Sequence, residues 1–90
     1  AFGGGIPEGL DKGWYVEPTL LTGVTPDMEI AQEEVFGPVV AVISYKDEAD
    51  AIRIANDSRY GLAGSVYTSD VERGFAIARK VRTGTFSVNS

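Results

Sequence analysis

Residues 39–45 read V-V-A-V-I-S-Y, and this near-continuous apolar run is the stretch that decides the fold class. A run of strand length without polar alternation is typical of a β-strand that is covered on both faces. Strands of this kind occur in α/β proteins, where helices lie on the two faces of a parallel sheet. The stretch therefore predicts a buried strand, and the flanking segments should supply the helices that cover it.

The chain downstream of this strand alternates between helix and strand patterns. Asp47 is a suitable N-cap for a helix that runs to about Ala55, and Asp50 stands three residues on, as in a capping box. Residues 63–68 are rich in small and β-branched side chains, and they predict a second strand. This spacing is that of a strand–helix–strand unit.

A second helix and a third strand complete the pattern. Ser69 and Glu72 stand in the sequence S-D-V-E, a capping box that predicts a helix to about Arg82. Residues 85–89 predict the last strand. Gly74 lies inside the helix, where glycine costs about 1 kcal/mol relative to alanine, so we expect the helix to pack closely against the sheet at this position.

The order of elements in residues 39–90 is therefore β-α-β-α-β. Alternation of strands with helices of about ten residues indicates parallel strands that are joined by right-handed crossovers. A ferredoxin-like fold would need two strands paired directly between the helices, and no hairpin signal is present there. The predicted fold class is α/β, with an open and mostly parallel sheet.

The chain upstream of the apolar run is less regular. Residues 1–13 are rich in glycine and predict an irregular loop. Residues 14–38 predict a strand at 14–21, a short helical stretch at 28–34, and a rigid turn at the Gly-Pro pair 37–38. The whole chain thus divides into a loop, a strand with a turn, and the βαβαβ unit.

Composition excludes several classes of function. The net charge is −5, from 13 acidic and 8 basic residues without a basic cluster, which disfavours nucleic acids and anionic membranes as partners. The chain has no cysteine and no histidine, so disulfides, thiolate nucleophiles, imidazole bases and the usual zinc sites are excluded within it. No run approaches the roughly 20 apolar residues that span a bilayer, and we expect a cytoplasmic location.

The remaining candidate chemistry lies around residue 34. The glycine clusters at 3–5 and 61–65 lack the strand–loop–helix context of a phosphate-binding loop. Glu33 and Glu34 would diverge by about 100° on a helix, so a shared carboxylate dyad is not expected. Glu34 and Phe36 are either a charged turn with a core aromatic, or a clamp for a ligand that has hydroxyls and a flat ring.

Four blocks of the sequence resemble the aldehyde dehydrogenase superfamily. The stretch E-E-V-F-G-P-V at residues 33–39 resembles a signature of that family, and the other blocks stand in the family's order and spacing. They are G-W-Y-V-E-P-T-L at 13–20, N-D-S-R-Y-G-L-A-G-S-V-Y-T at 56–68 and R-K-V-R-T-G-T-F-S-V-N at 79–89. Together the blocks cover nearly the whole chain, which resembles the C-terminal part of the family's catalytic domain. Gly74 and the pair Phe86-Ser87 depart from the family pattern.

The resemblance implies a role in an enzyme that oxidises an aldehyde to a carboxylic acid with NAD or NADP. It implies that the carboxylate of Glu34 accepts hydrogen bonds from the hydroxyls of the nicotinamide ribose and that Phe36 packs beside the nicotinamide. The family's cysteine nucleophile and glutamate base are absent, so no catalytic residue and no metal ligand is assigned here. We expect an inactive fragment whose partners are the remainder of the enzyme, an aldehyde and further copies in a homo-oligomer.

Two alternatives stay open at this point. The chain could be a non-catalytic α/β binding or assembly module that keeps the scaffold without the chemistry. It could also come from a superfamily relative that reduces an acyl phosphate or uses CoA, because the residues that discriminate these activities lie outside this stretch.

Overall fold

The computed structural model describes residues 2–10 and 12–90. Ala1 and Asp11, both in the predicted glycine-rich loop, lie outside the described residues. The elements are β1 (Thr19–Leu21), α1 (Glu29–Gln32), β2 (Val39–Ala41), α2 (Glu48–Asn56), β3 (Ala63–Val66), α3 (Val71–Ala78) and β4 (Thr85–Val88). They belong to two compact units, Ala1–Ser44 and Tyr45–Ser90.

The first unit is a parallel β-α-β arrangement. β1 pairs with β2, with Thr19 opposite Val39 and Leu21 opposite Ala41. Phe2 adds an antiparallel bridge to Leu20, and the two residues exchange backbone hydrogen bonds of 2.8 Å. The glycine-rich loop therefore begins against the edge of β1.

Both strands of this unit are shorter than their sequence patterns predict. β1 begins at Thr19 and not at residue 14, because Pro18 has no N–H to donate to a neighbouring strand. β2 ends at Ala41 and not at residue 45, because its partner β1 ends at Leu21, which lies opposite Ala41. The last bond between them runs from Val42 N to Leu21 O at 2.8 Å.

The second unit contains another parallel pair and two helices. β3 pairs with β4, with Ala63 opposite Thr85 and Val66 opposite Val88, and α3 connects the two strands. The predicted N-cap of α2 is confirmed, since the Asp47 carboxylate accepts from Asp50 N at 2.8 Å. α2 then covers nine residues.

The predicted capping box of α3 is wrong by one residue. The N-cap is Asp70 and not Ser69, since the Asp70 carboxylate accepts from Arg73 N at 3.1 Å. Asp70 N in turn donates to the Thr68 hydroxyl at 3.1 Å, which holds Asp70 outside the helix. A carboxylate caps the positive end of the helix more favourably than a hydroxyl, because it adds a charge to the hydrogen bond.

α3 also ends before the predicted Arg82. Its last residue is Ala78, and Arg79 is the C-cap. The Asn56 side chain explains the early end, because it donates to Lys80 O at 2.8 Å and accepts from Arg82 N at 2.7 Å. Arg82 N therefore donates to the Asn56 side chain and not to a carbonyl of the helix, so the helix does not extend to Arg82.

Gly74 confirms the expected close packing of α3 against the sheet. It is buried, and a Cβ at this position would lie 2.7 Å from Val88 Cγ1 and 3.1 Å from Thr68 Cγ2. The missing side chain is therefore the reason that the helix can approach β4 so closely.

The α/β class and the parallel pairing are confirmed, and the pairing partner of β2 differs from the expected one. The apolar run joins β1, its upstream neighbour, so that within residues 2–10 and 12–90 the strands form two separate parallel pairs. Strand pairing is a long-range choice that periodicity does not encode. The predicted division at residues 13 and 38 stays a prediction.

Apolar side chains in this chain are mostly exposed. Among the described residues, Val24 is the one apolar side chain in the buried class, at 7% exposure. Leu62 is 88% exposed and Trp14 is fully exposed. In the described part of the chain, no helix has the length and hydropathy needed to cross a membrane.

Candidate functional site

The candidate site is the exposed segment of residues 33–38, which joins α1 to β2. Its first end is fixed to the preceding turn, because Gln32 Nε2 donates to Pro26 O at 2.6 Å. Glu33 leaves the helix in an extended conformation, and its N–H still donates to Glu29 O at 2.8 Å. The predicted helix to Glu34 is therefore two residues too long, and Glu34 lies in irregular backbone.

The turn before α1 is also ordered by a side chain. The Thr25 hydroxyl donates to the Asp27 carboxylate at 2.5 Å. This hydrogen bond lowers the pKa of Asp27, because it stabilises the ionised carboxylate. The turn carries negative charge on the side of the helix N-terminus, where such charge is favourable.

The second end of the segment is the Gly-Pro corner. Gly37 has φ +129°, a value that residues with a Cβ rarely adopt. Pro38 O accepts from Thr19 N at 2.7 Å, and Val39 N donates to Gly37 O at 2.9 Å. These bonds tie the corner to β1, so the segment is held at both ends.

Glu34 and Phe36 lie between these two anchors and face solvent. The Phe36 ring is 90% exposed, so the structure does not place it as a core aromatic of this chain. Glu34 is exposed, and within residues 2–10 and 12–90 its carboxylate has no hydrogen-bond or ion-pair partner. A carboxylate that accepts nothing internally and an uncovered ring are both available to a ligand.

The second unit contains a groove of about 440 Å³ between α2, α3 and β3. Its lining is largely apolar, and Ile52, Ile77 and Phe86 contribute to it. The charged residues of its lining, Glu48 and Arg73, pair with each other at 2.7 Å. The groove therefore offers apolar surface for packing, and we assign no chemical role to the residues that line it.

Sequence reasoning assigned no role to a set of polar contacts at the carboxyl ends of β3 and β4. Asn89 has φ +60° and bonds to Thr68 through both of its side-chain polar atoms. The signal in the sequence was a single Asn at the last residue of a predicted strand, because Asn is the residue other than glycine that most readily takes left-handed backbone.

Comparisons with known proteins agree on one family. A family model described as "Aldehyde dehydrogenase family" matches residues 1–90. A betaine aldehyde dehydrogenase of Brucella anthropi is 47% identical over 92 residues, which are 100% of this chain and 19% of the relative. The chain thus spans about a fifth of the length of this relative.

Solved structures give the same result. The crystal structure of a Mycobacterium tuberculosis aldehyde dehydrogenase complexed with NAD+ has a TM-score of 0.95 and 58% identity, over 98% of this chain and 18% of that one. The C291A mutant of aldehyde dehydrogenase C from Pseudomonas syringae, complexed with NAD+ and octanal, has a TM-score of 0.92 and 38% identity. That match covers 96% of this chain and 18% of the other.

Proposed function

Because this chain belongs to the aldehyde dehydrogenase family, we propose that it is the C-terminal part of the catalytic domain of an NAD(P)-dependent enzyme that oxidises an aldehyde to a carboxylic acid. The NAD+ complex of the M. tuberculosis relative supports the cofactor, and the octanal complex of the P. syringae relative supports the substrate class. Within this enzyme, the segment of residues 33–38 positions the nicotinamide ribose.

The observation that carries the proposal is the exposed pair Glu34 and Phe36 on a segment held at both ends. An ionised carboxylate is an acceptor-only group, and ribose hydroxyls are donors, so the two are chemically complementary. Hydrogen bonds to a charged group are worth roughly 1.5–3 kcal/mol each. The uncovered Phe36 ring offers a flat apolar surface for the nicotinamide, so the residues present fit the cofactor.

Glu34, Phe36 and the Gly37-Pro38 corner have distinct tasks. When bound, the nicotinamide ring supplies the hydride acceptor of the reaction. Glu34 binds the ribose hydroxyls and thereby orients the base, and Phe36 covers the ring region and excludes water from it. The Gly37-Pro38 corner fixes the direction of both side chains. This matters because about 1 Å of misplacement can cost on the order of a hundredfold in rate.

The bond-making groups lie outside this chain. It contains no cysteine, and the resemblance places the family's glutamate base in an upstream motif, so we assign the nucleophile and the general base to the remainder of the enzyme. That remainder and an aldehyde are the proposed partners. Assembly into a homo-oligomer and a cytoplasmic location stay predictions.

The test is Glu34→Gln in the intact enzyme, which removes the charge and keeps the shape. We expect hydride transfer in single-turnover kinetics to slow on the order of tenfold or more, and the dissociation constant for the cofactor to change less. The ribose would still bind, but its orientation, and with it that of the nicotinamide, would be less well fixed. The appearance of reduced cofactor by absorbance measures the step.

Glu33→Gln is the matched control, because it removes the same charge one residue earlier, at the end of α1. We expect nearly unchanged hydride transfer in that variant. Unchanged turnover in Glu34→Gln, or equal losses in the two variants, would contradict the role of the corner.

A further inference from the structure

The carboxyl ends of β3 and β4 are joined by hydrogen bonds beyond the strand ladder. Asn89 Oδ1 accepts from Thr68 N at 2.8 Å, and Asn89 Nδ2 donates to Thr68 O at 2.9 Å. Asn89 N donates to Val66 O at 2.8 Å. One amide side chain therefore satisfies both backbone groups of Thr68, two residues past the end of β3, where no strand partner remains.

Asn89 makes these bonds from a left-handed backbone conformation. Its φ is +60°, and among the described residues it is the one residue other than glycine with positive φ. The conformation turns the chain sharply at the end of β4, and such outliers persist where surrounding bonds hold them. Here the bonds to Thr68 hold it.

The contacts continue from Thr68 and Asn89 to their neighbours. The Thr68 hydroxyl accepts from Asp70 N at 3.1 Å, and Asp70 is the N-cap of α3. The Tyr67 hydroxyl donates to Ser90 O at 3.1 Å. A single network therefore fixes the end of β3, the end of β4 and the start of α3.

This network lies at the edge of the sheet where function is expected. β3 and β4 are parallel, so their carboxyl ends meet at the same edge. In open α/β sheets, ligands bind in the crevice outside the carboxyl ends of the strands. The backbone that the network holds is thus placed at that crevice.

We propose that Asn89 is a positioning residue for aldehyde oxidation, which fixes the backbone of residues 67–68 and 89–90 at the substrate side of the sheet. Asn89 acts through Thr68 and Ser90, and its own polar atoms are occupied by the backbone of Thr68. The inference rests on the proposed function and deepens it, because it adds a positioning residue from the second unit for the same reaction.

Asn56 provides a matched control for this residue. Its side chain also bonds to backbone at both polar atoms, donating to Lys80 O at 2.8 Å and accepting from Arg82 N at 2.7 Å. It is the last residue of α2 and bonds to the segment that precedes β4, so it acts at the amino ends of the strands. The two asparagines share their bonding pattern and differ in the edge that they hold.

The experiment compares Asn89→Asp with Asn56→Asp in the intact enzyme. Each change replaces the amide donor by a carboxylate oxygen that faces a backbone carbonyl, so the structural cost is similar. We expect kcat/KM for the aldehyde to fall on the order of tenfold or more in Asn89→Asp only. The thermal midpoint and the cofactor affinity should change alike in both variants. Equal losses of kcat/KM in the two variants, or no loss in Asn89→Asp, would overturn the proposal.

Asn89→Gly adds a readout that does not need activity. Glycine keeps the left-handed backbone without strain and removes both side-chain bonds. We expect amide exchange at Thr68 to speed up on the order of tenfold, and unchanged exchange would overturn the proposal. Unchanged hydride transfer in Glu34→Gln would instead count against the proposed cofactor role of Glu34. It would not change the interpretation of the Asn89 variants.

Discussion

The directions of the Glu34 and Phe36 side chains in the proposed cofactor site depend on the backbone conformation of Gly37. Its φ of +129° lies where a Cβ is disfavoured, and among the described residues no heavy atom outside its neighbours lies within 4 Å of the position of that Cβ. A substitution there would therefore act through backbone conformation and not through a clash. Glu34 and Phe36 provide the chemistry, and Gly37 decides where they point.

Gly37→Ala in the intact enzyme tests this directly. We expect a loss of about 1–3 kcal/mol of local backbone stability and a slower hydride transfer, since the corner relaxes to another conformation. Gly23→Ala is the control, because Gly23 also has positive φ and open space around it but lies in the turn after β1. Similar kinetics in the two variants would show that the corner does not aim the cofactor.

α2 and α3 are each capped at the amino end by a single side chain. Asp47 caps α2 and Asp70 caps α3, and both carboxylates accept from the third residue of the helix. Asp70 is additionally held by Thr68, which belongs to the network at the carboxyl ends of the strands. The cap of α3 and the strand-end network are therefore one structural feature.

A pair of substitutions distinguishes the two candidate caps of α3. Asp70→Ala is expected to cost about 0.5–2 kcal/mol, whereas Ser69→Ala should stay within about 0.5 kcal/mol. Native-state amide exchange in the first turn of α3 measures the difference, because that turn loses its acceptor in the first variant only. An equal rise in amide exchange in both variants would contradict Asp70 as the sole cap and would support the capping box at Ser69 that the sequence predicts.

The chain as a whole buries little of its apolar surface. Its strands form two parallel pairs, and parallel sheets are normally covered on both faces. Phe36, Leu62 and Trp14 are each at least 88% exposed, although large apolar side chains usually lie inside a protein. This pattern is what we expect of a part that packs against the remainder of a larger domain.

The isolated 90-residue chain should therefore associate with itself. Exposed strand edges and apolar faces favour such pairing, and sedimentation velocity over a range of concentrations measures it. Leu62→Ser should lower the association, because Leu62 is 88% exposed, whereas Ser69→Ala, which removes no apolar surface, should not. A clean monomer at all concentrations would contradict the expectation.

Much of the local structure could be predicted from residue types. The Asp47 cap, the presence of α2, β3, α3 and β4, and the close packing at Gly74 all follow from short-range chemistry, and the structure confirms them. The cap of α3 was misplaced by one residue because the Thr68 hydroxyl accepts from Asp70 N and holds Asp70 outside the helix, which leaves the Asp70 carboxylate as the cap. Thr68 is itself bonded to Asn89, 21 residues away, and a local pattern does not show such a contact.

Sequence alone was enough for the α/β class, for the resemblance to the aldehyde dehydrogenases, and for Glu34 and Phe36 as candidates. These follow from side-chain chemistry and from spacing, which are properties of the chain before it folds. Tertiary structure alone decided that β2 pairs with β1, that Phe36 is exposed, and that Asn89 joins two strand ends. The physical reason is that pairing, burial and hydrogen bonds over 21 residues depend on which segments meet in space.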